Sequence, residues 1–185
     1  SAWWNRQVAD AGFRVASITA YGHEKTEAAA LKAALGIEPG APLLELDLDT
    51  LRARVEALPW VRAATVERAL PDRLIVRVLE RQPAALLQNH GKLTLIDTTG
   101  AVIPGTMLSP YAELPTVTGD DAARAAPELL ELLNTAPGLA ARVTGATFLG
   151  GRRWDVRIDD RVWVRLPEKQ AEAAWLRLAG LEDEH

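Results

Sequence analysis

The chain has 185 residues, of which 48% are hydrophobic and 25% are charged, a balance typical of a folded globular protein and not of a disordered or fibrous one. Its net charge is −4 and neither half is basic, so the composition indicates neither nucleic-acid binding nor a polybasic membrane segment. The absence of cysteine excludes disulfides, thiolate catalysis and cysteine-ligated metals, and it suits a cytosolic or a periplasmic protein equally.

Two tryptophans, Trp3 and Trp4, lie near the start of a chain that begins at Ser1 and not at Met. If a transmembrane helix preceded Ser1, both rings would lie at the membrane–water interface, where amphipathic rings are favoured. Alternatively, they pack on the domain that follows. The sequence contains no signal peptide and no run of about 18 apolar residues. The start at Ser1 predicts a processed or excised fragment; the chain by itself favours packing of Trp3 and Trp4 on the following domain, and the start at Ser1 keeps the interfacial alternative open.

The first predicted elements are a strand and two helices. The strand covers residues 13–21 and requires a bulge or a change of face, because its apolar positions shift phase by one. Thr26 is predicted to cap a helix that ends at Gly36 in a left-handed turn. Asp49 is predicted to cap a second helix that stops at Pro59.

A hairpin is predicted next, with strands over residues 61–70 and 74–81 joined by a Pro-Asp turn. Leu70 is expected on the apolar face of the first strand, and Trp60 is expected in the core. The element order to this point is β-α-α-β-β. We place a domain boundary at Pro83.

The next predicted elements are two strands, over residues 84–87 and 92–96, joined by an Asn-His-Gly turn. A short strand at 102–103 follows. A helix then runs to Asn134, and either it begins near Pro127 or it kinks there.

The last part of the chain contains the clearest hairpin of the sequence. After an extended segment over 143–149, apolar and polar residues alternate in 154–158 and again in 162–166. Pro167 is predicted to open a final helix that places Trp175 in the core.

Residue types that carry catalysis or bind metals are sparse and occupy positions with simpler explanations. The three histidines fall in turns or at the chain end and lack metal-ligand spacing, and His185 is either native or a tag remnant. Asp120-Asp121 is explained by helix capping and Asp159-Asp160 by a hairpin turn. We therefore predict no enzymatic activity, no cofactor and no metal; a carboxylate-based cell-wall hydrolase using Asp159 or Asp160 is the rejected alternative.

The hairpin over residues 152–166 is the strongest candidate for binding. Trp154 and Trp163 stand among arginines, and tryptophan and arginine most often anchor protein interfaces. A strand there also accepts a partner strand by β-augmentation. The simpler alternative is that Val156, Ile158, Val162 and Val164 form a core face while the arginines are solvated, and both interpretations hold if they describe opposite faces.

The chain carries two sets of motifs in series. The first set is Gly12-Phe13-Arg14-Val15, Leu58-Pro59-Trp60-Val61, Leu70-Pro71-Asp72-Arg73-Leu74 and Glu80-Arg81-Gln82-Pro83-Ala84. The second set is Ile96-Asp97-Thr98-Thr99-Gly100, Leu114-Pro115-Thr116-Val117, Arg152-Arg153-Trp154-Asp155 and Val164-Arg165-Leu166-Pro167. Together they resemble the FtsQ/DivIB family of bacterial cell-division proteins, the first set its POTRA domain and the second its β domain.

The resemblance implies an α+β protein with a membrane-proximal segment at 1–11, a POTRA domain at 12–83 and a mixed β domain at 84–185. That β domain would have antiparallel hairpins and flanking helices, and its C-terminus is expected to lack a final strand. The family implies a non-enzymatic divisome scaffold of the bacterial inner membrane, anchored by one helix before Ser1. Its periplasmic part binds FtsB and FtsL at the septum and helps to regulate septal peptidoglycan synthesis.

Site residues are also implied by the resemblance. In the β domain the partner-binding residues are expected to be Arg152, Arg153, Trp154, Val156, Trp163 and Arg165. In the POTRA domain the recruitment surface is expected to include Thr65, Glu67 and Arg68.

A different class of function remains open at this point. POTRA domains also occur in outer-membrane assembly or secretion proteins, where edge strands receive client polypeptides by β-augmentation. One transmembrane helix before Ser1 would indicate cell division, whereas a β-barrel after His185 would indicate assembly.

Overall fold

The computed structural model describes residues 12–183, and these contain both helices and sheets. The predicted α+β class is confirmed. The chain divides between Arg81 and Gln82 into two compact units. Trp3, Trp4 and His185, for which the sequence made predictions, lie outside the described residues.

The first unit is a three-stranded sheet with two helices, in the predicted order β-α-α-β-β. Its elements are β1 (Ser17–Tyr21), α1 (Ala28–Leu35), α2 (Leu48–Glu56), β2 (Val61–Ala69) and β3 (Arg73–Glu80). The strand order is β1-β3-β2, with β3 parallel to β1 and antiparallel to β2. Both β1 and β2 are therefore edge strands.

Both helices of this unit pack on one face of the sheet. The helical spacing of the apolar residues in α1 and α2 turns one side of each helix toward the sheet, while alternate residues of β2 and β3 face them. The buried residues of this core are Val15, Leu31, Leu35, Leu43, Leu51, Val55, Val61, Ala64, Val66, Leu74, Val76 and Val78.

Several local predictions for this unit are wrong. The strand begins at Ser17 and not at residue 13, because Arg14 instead forms an isolated bridge with Pro42. The caps also differ: Glu27, not Thr26, precedes α1, and Asp47, not Asp49, caps α2 by accepting the N–H groups of residues 49 and 50. Both aspartates suit a cap, and the actual position follows from where the helix starts.

Two side chains assigned to the core lie elsewhere. Leu70 is 60% exposed because β2 ends one residue before it, so the alternation no longer determines its direction. Trp60 is only half-buried, and the ammonium of Lys25 lies 5.9 Å from the centre of one of its rings. The C-terminal cap of α1 is as predicted, since Gly36 adopts a left-handed conformation with φ 58°.

The second unit is built on a seven-stranded mixed sheet with the order β10-β9-β8-β7-β4-β5-β6. Two antiparallel groups, β4–β5–β6 and β8–β9–β10, are joined through β7, which is parallel to both β4 and β8. The strands are β4 (Pro83–Asn89), β5 (Lys92–Asp97), β6 (Val102–Ile103), β7 (Thr116–Thr118), β8 (Val143–Leu149), β9 (Arg153–Ile158) and β10 (Val162–Arg165).

Helices α3 (Ala122–Asn134), α4 (Pro137–Ala140) and α5 (Ala171–Asp183) contribute to the core of this unit. Trp175 on α5 is fully buried, as predicted, and its indole N–H donates to the carbonyl of Leu133 at 3.2 Å. The α5 helix begins at Ala171, so the predicted start at Pro167 is wrong. No helix among residues 12–183 has the length and apolar character needed to cross a bilayer.

The start of α3 also departs from the capping prediction. Asp121 occupies the N-cap position but makes no side-chain capping bond, and its carboxylate instead lies 3.4 Å from the guanidinium of Arg124. Pro127 lies inside the helix, so its missing N–H leaves the carbonyl of Ala123 without the usual helical donor. Gly100 packs there, because a Cβ at that position would stand 2.3 Å from the Ala123 oxygen.

Candidate partner-binding surfaces

The edge strand β10 presents both main-chain groups and large side chains. It pairs on one side with β9, and it ends the order of the seven-stranded sheet. Val162 and Trp163 are each 56% exposed. An end strand with a free row of N–H and C=O groups is a template for a further strand.

A tight turn holds β9 and β10 in register. Asp159 and Asp160 have φ values of 49° and 58° in a three-residue turn between the paired residues Ile158 and Val162, and aspartate tolerates this left-handed conformation better than most residues. The hydrogen bond from the Arg142 guanidinium (Nε to Oδ2, 3.0 Å) lowers the pKa of the Asp159 carboxyl below its ordinary value. The carboxylate of Asp160 lies 3.0 Å from the Arg157 guanidinium.

A cluster of charges lies on the sheet face opposite the helices. The Asp155 carboxylate is shared by Arg153 (Nε at 3.6 Å) and Arg165 (Nε at 4.0 Å). These distances exceed those of strong hydrogen bonds, and Arg153 Nε and Asp155 Oδ1 are buried without a hydrogen-bond partner. Two guanidinium groups share one carboxylate here, so the cluster keeps an excess of positive charge.

Arginine side chains also line a cleft beside strands β9 and β10. Arg152, Arg153 and Arg165 surround a cleft of about 450 Å³ that includes Glu168. Three guanidinium groups stand against Glu168 in the cleft wall and against Asp155 beside it, which leaves an excess of one positive charge. This is a local property, since the whole chain has a net charge of −4.

The structure separates the six β-domain residues named from the sequence into two groups. Arg152 and Arg165 are exposed, Trp163 is more than half exposed, and Arg153 is partly exposed. Trp154 and Val156 face the core, with exposures of 9% and 0%. These two side chains support the strand from within, because the alternation of β9 turns them toward the helices.

Arg157 was not selected from the sequence as a site residue, yet it belongs to the same face. Its guanidinium lies 5.7 Å from the centre of a Trp163 ring, and it also lies near the position that a Cβ of Gly145 would occupy. This contact restricts the motion of the exposed indole. The period-two alternation of Arg153, Asp155 and Arg157 was the signal that could have identified it.

The second surface is the edge strand β2 of the first unit. Thr65 and Glu67 are exposed and alternate away from the core, as their positions suggest. Arg68 also lies on this strand, but its guanidinium donates to the carbonyls of Leu43 (2.9 Å) and Leu46. Arg68 therefore holds the segment before α2 against the strand.

Within the described part of the chain, the side chains that commonly ligate metals (histidine, aspartate and glutamate) do not form a group of three or more that could hold an ion. The ring of His23 lies within hydrogen-bond distance of the Thr26 carbonyl, with Nδ1 at 3.0 Å. His90 adopts a positive φ of 47° in the turn between β4 and β5.

Two family models match the chain in series. Residues 13–81 match the FtsQ-type POTRA domain, and residues 85–185 match the C-terminal region of the cell division protein FtsQ/DivIB. The second match alone covers more than half of the chain.

Similar curated proteins carry the name cell division protein FtsQ. The relative from Caulobacter vibrioides is 35% identical over 174 residues, covering 94% of this chain and 58% of the relative. The one from Rhizobium meliloti is 33% identical over 175 residues, covering 95% and 57%. The one from Zymomonas mobilis is 37% identical over 141 residues, covering 76% and 45%. The chain thus spans about half the length of the curated relatives it matches.

One solved structure with partial similarity is the major extracytoplasmic domain of the cell division protein DivIB from Geobacillus stearothermophilus. The match covers 58% of this chain and 98% of that one, with a TM-score of 0.41 and 16% sequence identity.

Proposed function

The chain belongs to the FtsQ/DivIB family of cell division proteins, and we propose that it is the periplasmic part of a single-pass inner-membrane protein at the septum. In this proposal it is a non-enzymatic scaffold that binds FtsB and FtsL and helps to recruit and regulate septal peptidoglycan synthesis. The observation that carries the proposal is the match of the two halves, in order, to the two domains of one family. The membership itself confirms the resemblance predicted from the motifs.

We assign the contact with FtsB to the free edge of β10. Its outer side has main-chain groups available for a partner strand, and Trp163 provides a large exposed anchor beside them. The oriented indole contributes at low entropic cost, because the Arg157 guanidinium already restricts it.

The partner segment at this edge is expected to be acidic. Arg152, Arg153 and Arg165 line one cleft, and the ion pairs from Arg153 and Arg165 to Asp155 are long. A carboxylate from the partner would complete the hydrogen bonding of these guanidinium groups. Electrostatic attraction of this kind selects the partner and its register more than it adds affinity.

We assign recruitment by other divisome proteins to the edge of β2, around Thr65 and Glu67. This strand is the second free edge of the first unit, and its outward side chains are polar and exposed. In this proposal Arg68 acts indirectly, by holding the segment between Leu43 and Leu46 in place.

The test is a calorimetric titration of the chain with the periplasmic part of its own FtsB. The double variant Arg152→Glu/Arg165→Glu is expected to weaken binding at least tenfold while the circular dichroism spectrum stays unchanged, because both side chains are exposed.

The matched control is Lys32→Glu/Arg52→Glu, which makes the same change in net charge on helices α1 and α2. Both control side chains are exposed and belong to the first unit. We expect the control to bind like the unchanged chain. Equal affinity for the two double variants, or no binding by the unchanged chain, would overturn the assignment of the β10 edge.

A further inference from the structure

The sheet of the first unit has a second face that its two helices do not bury. Helices α1 and α2 cover the face formed by Leu74, Val76 and Val78 of β3 and their neighbours. We call the opposite side the open face. Alternation along the three strands places these residues on it: Ser17, Thr19, Tyr21, Ala63, Thr65, Glu67, Ala69, Arg73, Ile75, Arg77 and Leu79.

Large apolar side chains are exposed on and beside the open face. Tyr21 is 51% exposed and Leu79 is 56% exposed, and both lie toward the same end of the sheet. Leu70 is 60% exposed in the turn at the other end. Within the described residues of this unit, just one more large apolar side chain, Leu44, is similarly exposed. The exposed apolar area is therefore concentrated at this face.

Basic side chains stand between and around these apolar groups. Arg73 and Arg77 are exposed on β3, and the Arg77 guanidinium lies 5.2 Å from the centre of the Tyr21 ring. Arg62 is exposed beside Ala63, which pairs with Leu79. Glu67 is the acidic residue on the same face. On the open face, Arg73 and Arg77 stand against Glu67, which leaves an excess of one positive charge on this face of a chain whose net charge is −4.

We propose that the open face docks on the anionic surface of a phospholipid bilayer. Aromatic and leucine side chains are favoured at the membrane interface, and neighbouring arginines gain attraction from anionic headgroups. In the docked state Tyr21 and Leu79 enter the headgroup region while Arg73 and Arg77 contact lipid phosphates. This proposal does not depend on the assignment of FtsB to β10, and it competes with the recruitment role proposed for Thr65 and Glu67, because both residues lie on the open face.

A lipid surface fits this face better than a peptide does. Tyr21 and Leu79 lie at one end of the sheet and Leu70 lies in the turn at the other end, and such side chains insert individually into a deformable interface. A groove of about 340 Å³ in the same unit lies elsewhere, between β1 and α1, and is lined by core-facing residues such as Ile18, Ala20 and Leu31. An acidic protein segment is the rival occupant, and the experiment separates it from the membrane.

The experiment measures co-sedimentation of the full 185-residue chain with vesicles of phosphatidylcholine alone or with 30% phosphatidylglycerol. We expect binding to the anionic vesicles that decreases as salt is raised, because ionic screening shortens the range of attraction to about 3 Å at 1 M salt. Arg73→Gln/Arg77→Gln is expected to lower the partition coefficient about 25-fold, at about fivefold per arginine. Tyr21→Ser/Leu79→Ser is also expected to lower it, while the salt dependence persists.

The control variant Arg52→Gln/Arg124→Gln removes two charges from helices α2 and α3 and is expected to keep at least half of the partition coefficient. An equal decrease of the partition coefficient in both arginine variants would show that vesicle binding depends on the net charge of the chain and not on the open face. That result would overturn the proposal. The proposal would also be overturned if the unchanged chain does not bind anionic vesicles. Binding to polyglutamate that Arg73→Gln/Arg77→Gln abolishes, without vesicle binding, would assign the face to an acidic protein partner instead.

Discussion

Two carboxylates at the ends of strands organise the loops beside them. Asp97 is fully buried and accepts hydrogen bonds from the Thr99 N–H (2.8 Å), the Thr99 hydroxyl (2.6 Å) and the Ala101 N–H (3.0 Å). Glu80, at the end of β3, accepts the N–H groups of Lys25 and Thr26 at 2.7–3.0 Å. Each carboxylate thereby satisfies main-chain donors that a loop would otherwise leave unpaired.

Glu80 makes the stability of the first unit dependent on pH. Partial burial alone would raise its pKa, but the hydrogen bonds from Lys25 and Thr26 outweigh that effect and lower the pKa below the ordinary value. A lowered pKa in the folded state adds stability that is present above the unfolded-state pKa of about 4.3. That contribution is lost as the pH falls through the lower, folded-state pKa.

Glu80→Gln is therefore expected to lower the free energy of unfolding at pH 7 by about 1 kcal/mol, a value reduced by solvent screening of the partly exposed group. The difference from the unchanged chain should shrink below pH 4. Urea unfolding at pH 7 and at pH 3 measures it, and Glu67→Gln, which removes an exposed carboxylate from β2, is the control. A deficit that is the same at both pH values would contradict this role of Glu80.

At the scale of elements, the β9–β10 hairpin links turn chemistry to the proposed binding edge. Its turn holds Asp159 and Asp160 at positive φ, and the strands then place Trp163 opposite Arg157 and Arg165 opposite Asp155. A slip of one residue would exchange the core face and the charged face. The turn therefore sets the strand register, and the register determines which side chains β10 presents at the sheet edge.

The backbone of Asp160 can be tested separately from its charge. Asp160→Val and Asp160→Asn both remove the ion pair with Arg157, but only asparagine tolerates the left-handed conformation at φ 58°. We expect the free energy of unfolding of the valine variant to be about 1–2 kcal/mol lower than that of the asparagine variant. Denaturant titration compares them directly, and equal stabilities would mean that the turn relaxes without cost.

At the scale of the whole molecule, each of the two units contains a core of its own. One core is formed by α1, α2 and the three-stranded sheet, and the other contains Trp154 and Trp175 together with the apolar face of α3. The chain divides between Arg81 and Gln82, and the family models place their own limits at residues 81 and 85. The domain boundary at Pro83 remains a prediction made from the sequence.

Separate cores predict that the two units fold independently. Fragments covering residues 12–81 and 82–185 should each show cooperative thermal unfolding, because each retains its complete set of buried contacts. Calorimetry of the two fragments and of the whole chain measures this. A fragment that unfolds without a cooperative transition would show that its stability depends on the other unit.

Local chemistry made much of this fold predictable. The Pro-Asp turn and alternating residues indicated the β2–β3 hairpin, and the left-handed Gly36 indicated the end of α1. Caps were less predictable, since Asp47 and Asp49 are chemically equivalent candidates two residues apart. The burial of Trp154 follows from alternation, although its residue type had suggested a binding role, whereas Val156 was expected at the binding surface only from the resemblance.

The sequence by itself determined the element order, the α+β class and the family, because periodicity, turn residues and motifs are properties of neighbouring residues. The tertiary structure alone decided that β7 joins two antiparallel groups by parallel pairing and that β2 and β10 lie at sheet edges among residues 12–183. It also decided which charges meet, such as Arg153 and Arg165 at Asp155, or Arg77 at Tyr21. These contacts arise from pairing between strands distant in the chain, and local patterns do not specify which strands pair.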